Sequence, residues 1–299
     1  MAREPSTRTY SIQGHPFSAP SLAQGLHLVA TPIGNLADVS LRSLAVLAAA
    51  DAVLCEDTRI TSRLMQRYDI TTRLKPYHDH NAASVRPQIL QLLKNGATLA
   101  LVSDAGMPMV NDPGYKLVRD CVAEGIPVDV IPGPTAPVTA LALSGLPSDR
   151  FLFAGFLPSK SGARLKEIKE LSTIPSTILL FESPARIVAS LKTIAEVMGE
   201  RSIAVARELT KLHQEVLRGT AGEILDQLST RPALKGEITI VVGPPTRANH
   251  VSDEDISARL LRLLETHPAS KAANLLARET GLPKSGIYDL AITLKNGPS

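Results

Sequence analysis

The chain has 299 residues, 44% of them hydrophobic, which suits more than one packed core and excludes a globally disordered protein. Aromatic residues make up only 3% and tryptophan is absent, which argues against a protein that grips unpaired bases on a surface of aromatic rings. With 32 Lys and Arg against 29 Asp and Glu, the net charge is only +3, so nucleic-acid binding is permitted but depends on where those charges lie.

The first 24 residues contain no apolar core of a secretory signal, and no segment has the length of a membrane span. We therefore expect residues 1–24 to form a flexible tail and the protein to be cytoplasmic. Cys55 and Cys121 lie inside apolar runs without metal-ligand spacing, which predicts two buried, reduced thiols and no metal site.

Strands and helices alternate along residues 25–147. Short apolar runs predict strands at 25–30, 51–55, 98–102 and 128–131, and helical spacing of apolar residues predicts helices at about 41–48, 60–68, 81–94 and 115–124. This alternation is typical of right-handed crossovers, so we predict an α/β domain built on a mostly parallel sheet.

The pattern restarts after Pro147 and predicts a second α/β domain over residues 148–245. Its predicted strands are 151–156, 177–181, 202–206 and 238–242, and its predicted helices are 164–172 and 184–198. The Gly-Pro-Pro run that begins at Gly243 indicates a linker.

Residues 250–299 are predicted to form a small helical extension. Ser252 and the acidic residues after it are suited to cap a helix, and the segment 270–288 has the spacing of a helix-turn-helix with a glycine turn. A plain three-helix cap fits the same pattern. The basic side chains of Lys271 and Lys284 favour contact with nucleic acid.

Three loops rich in glycine and proline follow strands of the first predicted sheet, at residues 31–35, 103–114 and 132–137. Because ligands bind at the carboxyl ends of parallel strands, we predict that these loops form the walls of one pocket. Motifs for dinucleotides, P-loop nucleotides, metals and acyl-transfer serines are missing from the sequence. Backbone amides and small or apolar side chains suit an adenosyl group with a sulfonium better than a polyanionic phosphate.

The strings VATPIGNLADVSLRSL, DAVLCEDTR, LVSDAGMPMVNDPG, VIPGPTA, LLFESPARI and GEITIVVGP resemble the small-subunit ribosomal RNA methyltransferase I family, the cytidine-2′-O-methyltransferase branch of the tetrapyrrole methylase superfamily. The resemblance covers residues 25–244, and the tail resembles that family's helix-turn-helix extension. It implies two α/β domains of the tetrapyrrole-methylase type with S-adenosylmethionine in the interdomain cleft. It also implies a homodimer that 2′-O-methylates a cytidine of small-subunit ribosomal RNA near the decoding centre.

Carried over motif by motif, the resemblance implies cofactor contacts from both domains. The implied residues are Ile33, Asp104, Gly106, Met107, Val110, Pro132, Gly133, Thr135, Ala136, Leu180, Ala206 and Gly236. Met107 stands where the family pattern leads us to expect threonine, and we expect this departure to alter cofactor affinity.

A ribose hydroxyl is a weak nucleophile at neutral pH, so methyl transfer to it calls for a nearby base. The candidates are Glu56, Asp57, Asp104 and Glu208, and the sequence does not choose among them. Three of them have an alternative interpretation as ion-pair partners: Glu56 and Asp57 with Arg59 or Arg63, and Glu208 with Arg207 or Lys211.

Arg59, Arg63 and Arg67 recur at four-residue intervals along one predicted helix. They predict a positive ridge beside the pocket that contacts RNA phosphates, with a solvated helix face as the alternative.

Three other functions fit parts of the pattern. Methylases of small tetrapyrroles and diphthamide-type protein methylases share the fold and the cofactor, but the helical extension and the arginine ridge argue against both. A non-catalytic RNA-binding or ribosome-assembly protein would keep the fold without binding the cofactor.

Overall fold

The computed structural model describes residues 8–231, 234–245, 253–280 and 284–296. The chain divides into two compact units, Met1–Gly243 and Pro244–Ser299. The described part of the first unit holds a two-stranded hairpin and two five-stranded sheets, and that of the second holds helices.

The hairpin consists of β1 (Thr9–Ile12) and β2 (His15–Ser18), and it lies within the segment expected to be a flexible tail. Its two-residue turn has positive φ at both Gln13 (51°) and Gly14 (83°), as in a type I′ turn. Tyr10 is buried in the core of the first sheet. Ordered structure therefore begins before Gly25, contrary to the prediction. The hairpin escaped prediction because its turn has glutamine in place of the asparagine or aspartate that usually marks such a turn.

The first sheet has the strand order β5-β4-β6-β3-β7, and all of its neighbouring strands are parallel, as predicted. Its strands are β3 (Gly25–Val29), β4 (Ala52–Cys55), β5 (Leu74–Pro76), β6 (Thr98–Leu101) and β7 (Val128–Ile131). Its helices are α1 (Leu41–Ala49), α2 (Thr58–Arg67), α3 (Asp79–Lys94) and α4 (Tyr115–Ala123), and a short 3₁₀ helix spans Leu36–Asp38. The three-residue strand β5 escaped prediction because it is too short to show a pattern.

Helices cover both faces of this sheet. Residues of α1, α2 and the hairpin form one apolar cluster with the sheet, and residues of α3 and α4 form another on the opposite face. Cys55 lies in the first cluster and Cys121 in the second, and both are free and buried. This confirms the prediction of buried, reduced thiols.

The second sheet has the order β11-β10-β12-β9-β8 and is mixed. Its elements are β8 (Phe151–Phe156), α6 (Ser161–Ser172), β9 (Thr177–Glu182), α7 (Ile187–Met198), β10 (Ile203–Arg207), β11 (Glu215–Gly219), α8 (Ala221–Ser229) and β12 (Ile238–Val242). Only β8 and β9 pair in parallel, whereas β10 runs antiparallel to β11 and β12, and β12 antiparallel to β9.

Helix α5 (Ala136–Ser144) links the two sheets. It follows the last strand of the first sheet, but its buried residues Ala140 and Leu141 pack against Leu179, Ala204 and Val241 of the second. Helices α6, α7 and α8 cover the other face of that sheet. The predicted division at residue 147 therefore separates two sheets that share one compact unit.

The second unit contains α9 (Asp253–Leu264), α10 (Ala269–Thr280) and α11 (Lys284–Asn296), which confirms the predicted helical extension. Leu260, Leu276 and Ile287 belong to its core. The predicted cap at Ser252 and the glycine turn at residues 281–283 lie outside the described residues. In the part of the chain that the structure describes, no helix is long and apolar enough to cross a membrane.

Candidate active site

The loops that follow β3, β6 and β7 meet at one edge of the first sheet. Thr31 and Gly106 exchange two backbone hydrogen bonds, from Thr31 N to Gly106 O at 2.9 Å and from Gly106 N to Thr31 O at 3.1 Å. Ala30 N donates to Ile131 O at 3.1 Å, which joins the first loop to the end of β7. The three predicted pocket loops are thus held together by backbone contacts, because their strands are neighbours in a parallel sheet.

The second sheet supplies the opposite wall. In the antiparallel pairing of β9 and β12, Glu182 lies opposite Ile238 and Phe181 opposite Thr239, so the end of β9 lies beside the start of β12. The ring of Phe156, at the end of β8, lies 5.4 Å from that of Phe181.

Together these walls enclose a cleft of about 330 Å³. Its lining is mostly apolar and includes three carboxylates, and no Lys or Arg occurs among the described lining residues. The full set is Ile33, Ala105, Gly106, Met107, Val110, Asn111, Asp112, Thr135, Ala136, Pro137, Phe156, Phe181, Glu182, Ser183, Pro184, Gly236, Glu237, Ile238 and Thr239. Glu182 pairs with Arg186 at 3.3 Å and Glu237 with Lys211 at 3.1 Å, so Asp112 is the lining carboxylate that has no ion pair within the described residues. Such a lining fits an adenosine that carries positive charge and disfavours a polyphosphate.

Gly106 allows the loop after β6 to approach the loop after β3 closely. Its φ is +82°, and a Cβ at this position would lie 3.1 Å from Ile33 Cγ2 and 3.4 Å from Pro134 O. A side chain would therefore strain the backbone and crowd the apolar wall of the cleft.

Three of the four candidate bases lie together with a carboxylate that the sequence did not single out. Glu56 and Asp57 follow β4, Asp104 follows β6, and Asp112 lies on the loop before α4. Asp57 N donates to Asp104 Oδ1 at 3.0 Å, which fixes the loops relative to each other. Within the described residues, no group of three or more His, Cys, Asp or Glu side chains is arranged to hold a metal ion.

Asp57 is engaged by its own helix. It caps α2 by accepting from Arg59 N at 2.8 Å, and it pairs with Arg59 Nη2 at 2.6 Å. These contacts lower the pKa of Asp57 to about 2. Asp57 is therefore an ion-pair partner of Arg59, which was the alternative to its role as a base.

The other three carboxyls are better proton acceptors. Burial raises the pKa of Glu56 and of Asp104 above their ordinary values. Burial, reinforced by the charge of Glu56, raises the pKa of Asp112 to about 6. Of the four members of this group, Asp112 is the one that lines the cleft. It escaped prediction because Asn-Asp-Pro-Gly has the composition of an ordinary turn.

Glu208, the fourth candidate, lies on the second sheet after β10 and does not line the cleft. It accepts from Lys211 Nζ at 2.8 Å and from Glu237 N at 3.2 Å, and the bond from Lys211 lowers its pKa. Arg207 pairs with Glu215 instead, at 3.3 Å. Of the two predicted ion-pair partners of Glu208, the structure shows Lys211.

Comparison with known proteins identifies the family. The family model for tetrapyrrole (corrin/porphyrin) methylases matches residues 25–225, and the model for the RsmI C-terminal HTH domain matches residues 250–295. A protein of Mesorhizobium japonicum named ribosomal RNA small subunit methyltransferase I is 49% identical over 278 residues, covering 92% of this chain and 94% of that protein. The protein of the same name from Escherichia coli O157:H7 is 43% identical over 273 residues, covering 89% and 94%.

The chain belongs to the ribosomal RNA small subunit methyltransferase I family of tetrapyrrole methylases. It is an S-adenosylmethionine-dependent methyltransferase, and the cleft described above fits that cofactor.

Solved structures show the same fold at low sequence identity. Cobalt precorrin-4 methyltransferase gives a TM-score of 0.56 at 17% identity, covering 73% of this chain and 94% of that chain. Diphthine synthase gives 0.58 at 16% identity, covering 73% and 89%. Uroporphyrin-III C-methyltransferase of Thermus thermophilus, complexed with S-adenosylhomocysteine, gives 0.50 at 18% identity, covering 73% and 96%.

In this methyltransferase, seven of the twelve predicted cofactor residues line the cleft, namely Ile33, Gly106, Met107, Val110, Thr135, Ala136 and Gly236. Asp104, Pro132 and Gly133 lie on the right loops but outside the lining. Leu180 and Ala206 are each 1% exposed and belong to the cores on either side of the second sheet. Phe181, the residue after Leu180, reaches the cleft because successive side chains of a strand point to opposite faces.

The predicted RNA-contacting side chains are exposed. On α2 the buried residues include Leu64 and Met65, and Arg63 and Arg67 face outward. Arg59 is exposed but engaged with Asp57, whereas Arg63 takes part in no ion pair within the described residues. In the helical unit, Lys271 and Lys284 are exposed as well.

Proposed function

We propose that the protein transfers the methyl group of S-adenosylmethionine to the ribose 2′-hydroxyl of a cytidine in small-subunit ribosomal RNA, near the decoding centre. The observation that carries this proposal is a cleft free of basic side chains in its described lining, with a poorly solvated carboxylate in its wall. The names of the relatives, which match along nearly the whole chain, support RNA as the substrate. The proposed substrate places the reaction in the cytoplasm.

When bound, S-adenosylmethionine supplies a methyl group made electrophilic by the positive charge on sulfur. The apolar side chains of Ile33, Val110 and Phe181 would hold the adenosyl part and exclude water, and the backbone of Gly106 would lie against it. Exclusion of water strengthens the attraction between the Asp112 carboxylate and positive charge. Met107 adds a thioether to the same wall, and we propose that it tunes cofactor affinity.

A carboxylate at the edge of the cleft would accept the proton of the hydroxyl. Glu56, Asp104 and Asp112 are the candidates, because burial raises the pKa of each and makes each a stronger base than an exposed carboxylate. We assign Asp57 and Glu208 structural roles, since each is neutralised by a cation beside it.

Basic side chains outside the cleft would hold the RNA. We propose that Arg59, Arg63 and Arg67 contact phosphates beside the cleft and that Lys271 and Lys284 add contacts from the helical unit. We also propose that the protein works as a homodimer, which sedimentation equilibrium of the purified protein would test.

Methyl transfer from radiolabelled S-adenosylmethionine to small ribosomal subunits from a strain that lacks this protein tests the function. Alkaline hydrolysis then maps the product, because a 2′-O-methylated linkage resists cleavage. We expect one protected cytidine. Cofactor binding without transfer to subunits or to naked RNA would overturn the proposal and favour a small-molecule methylase, which transfer to a porphyrinogen in a parallel reaction would detect.

A further inference from the structure

A second cavity, of about 200 Å³, adjoins the cleft on the side of α3 and α4. It is lined by Tyr77, Asp79, Ala82, Ala83, Arg86, Asp112, Pro113, Gly114, Tyr115 and Lys116. Among the described lining residues of the two cavities, Asp112 alone belongs to both. Its carboxylate therefore marks the place where a ligand in the second cavity would meet a ligand in the cleft.

The second cavity has an aromatic ring at its mouth. Tyr115, the first residue of α4, is 68% exposed, which is the largest exposure of any aromatic side chain in the described residues. A flat, solvent-facing ring is the surface on which an unpaired base stacks.

Of the two basic side chains that line the second cavity, Arg86 is ion-paired and Lys116 is not. Arg86 Nε pairs with Asp120 Oδ2 at 2.8 Å, and Arg119 Nη2 pairs with the other oxygen of the same carboxylate at 2.8 Å, so Arg86 is held in place by a charge that it shares with Arg119. Lys116 is exposed and takes part in no ion pair within the described part of the chain. A free ammonium group next to an exposed ring matches the phosphate and the base of one nucleotide.

We propose that the second cavity is the subsite for the target nucleotide, with its base on Tyr115, a phosphate at Lys116 and its 2′-hydroxyl at Asp112. This inference rests on the proposed methylation of RNA and identifies the proton acceptor, which sequence left open. The bond between O2′ and the methyl carbon forms as the bond between that carbon and sulfur breaks. Sulfur keeps the electron pair, and the hydroxyl proton passes to Asp112.

The surroundings of Asp112 suit this role. Glu56, Asp104 and Asp79 face it from the ends of β4 and β6 and from the start of α3, and their negative charges oppose its ionisation. Burial is the larger cause, and together they bring its pKa to about 6. At neutral pH Asp112 is therefore mostly ionised, yet it binds a proton more strongly than an ordinary carboxylate.

Replacement of the ring tests the subsite. For Tyr115→Ala we expect the dissociation constant for unmethylated small subunits to rise about tenfold, while that for S-adenosylmethionine, measured by calorimetry, stays unchanged. Tyr115→Phe should retain wild-type affinity, because stacking needs only the ring. Val122→Ala, an exposed apolar truncation on the same helix, is the matched control and should bind as wild type does. Equal affinity of Tyr115→Ala and Val122→Ala would overturn the stacking site.

Replacement of the carboxylate tests the base. For Asp112→Asn we expect the single-turnover rate to fall about 100-fold or more, with both ligands still bound. The wild-type rate should fall about tenfold per pH unit below pH 6, and Asp112→Asn should lose that dependence. Asp112→Glu keeps a carboxylate and should retain part of the rate, and this variant covers the case in which the asparagine variant fails to fold. A wild-type rate and pH profile in Asp112→Asn would overturn the assignment.

These outcomes separate the subsite from the function. If the wild-type enzyme methylates a cytidine O2′ and both variants match it, the subsite is wrong and the proposed function stands. If the wild-type enzyme methylates no ribose hydroxyl in RNA, the proposed function fails first.

Discussion

The two sheets build the cleft in different ways. All strands of the first sheet are parallel, so the carboxyl ends of β3, β6 and β7 lie on the same side of the sheet. The loops that follow these strands therefore meet as a consequence of strand order alone. In the second sheet, β9 and β12 are antiparallel, so the cleft receives residues that follow one strand and precede the other. Strand direction thus decides whether a residue reaches the site by coming after a strand or before it.

The largest expected effect comes from replacing neighbouring residues of β9 whose side chains lie on opposite faces of the second sheet. Leu180 is 1% exposed in the core with α6, α7 and α8, so Leu180→Ala should lower the free energy of unfolding by about 2–5 kcal/mol. Phe181→Ala, one residue on, should weaken cofactor binding about tenfold with a smaller loss of stability, because that ring lines the cleft. Urea denaturation and calorimetry measure the two quantities. The reverse pattern would show that the face assignment of β9 is wrong.

Glycines at the two walls give an intermediate effect. Gly236 has φ +90°, and a Cβ there would lie 2.1 Å from Glu208 Oε1, the acceptor that holds Glu237 N. Gly236→Ala should therefore displace that loop, lower Tm by several degrees and weaken cofactor binding about tenfold, and Gly106→Ala should act in the same direction with a milder clash.

Gly125→Ala provides the control for backbone strain alone. Its φ is +68° with no heavy atom within 4 Å of an added Cβ, so it should lower Tm without changing cofactor affinity. If Gly106→Ala weakened binding and Gly236→Ala did not, the second sheet would contribute less to the cofactor site than its lining implies.

Reversal of one exposed charge, on a helix beside the first sheet or on a helix beside the second, should give the smallest effect. Arg63→Glu, on α2 beside the first sheet, should weaken binding of unmethylated subunits roughly tenfold at low salt, with a smaller difference as salt rises. Lys192→Glu, an exposed cation on α7 of the second sheet, is the matched control and should change binding little. Cofactor affinity should stay unchanged in both. Filter binding at several salt concentrations measures the effect, and equal losses in both variants would remove the special role of the arginine ridge.

Much of the first sheet was predictable from the chain. Its buried strands are short apolar runs, and the amphipathic helices between them require crossovers, so parallel order and the meeting of three loops follow from pattern and chirality. The hairpin at Tyr10 was missed because its strands mix polar and apolar residues instead of forming apolar runs, and because its turn has an atypical residue.

The second wall was less predictable. Leu180 occurs in β9, which borders the cleft, whereas Ala206 occurs in β10, and no residue of β10 is among the described lining residues. Whether a side chain of such a strand faces the ligand or the core depends on how helices cover each face of the sheet. Helix α5 follows the last strand of the first sheet in the chain, but it packs against the second sheet. The pattern of its own residues does not indicate which of the two sheets it covers.

The sequence by itself determined the family, the alternation of elements, the three loops rich in glycine and proline, and four of the acidic candidates, because these depend on local pattern and on residue types at fixed spacing. Asp112 was added only by the structure. Tertiary structure alone decided which carboxylates are neutralised. Arg59 holds Asp57 and Lys211 holds Glu208, whereas Glu56, Asp104 and Asp112 face one another and none of the three forms an ion pair within the described residues. The physical reason is that the proton affinity of a carboxyl group depends on its burial and on charges brought near it from distant parts of the chain.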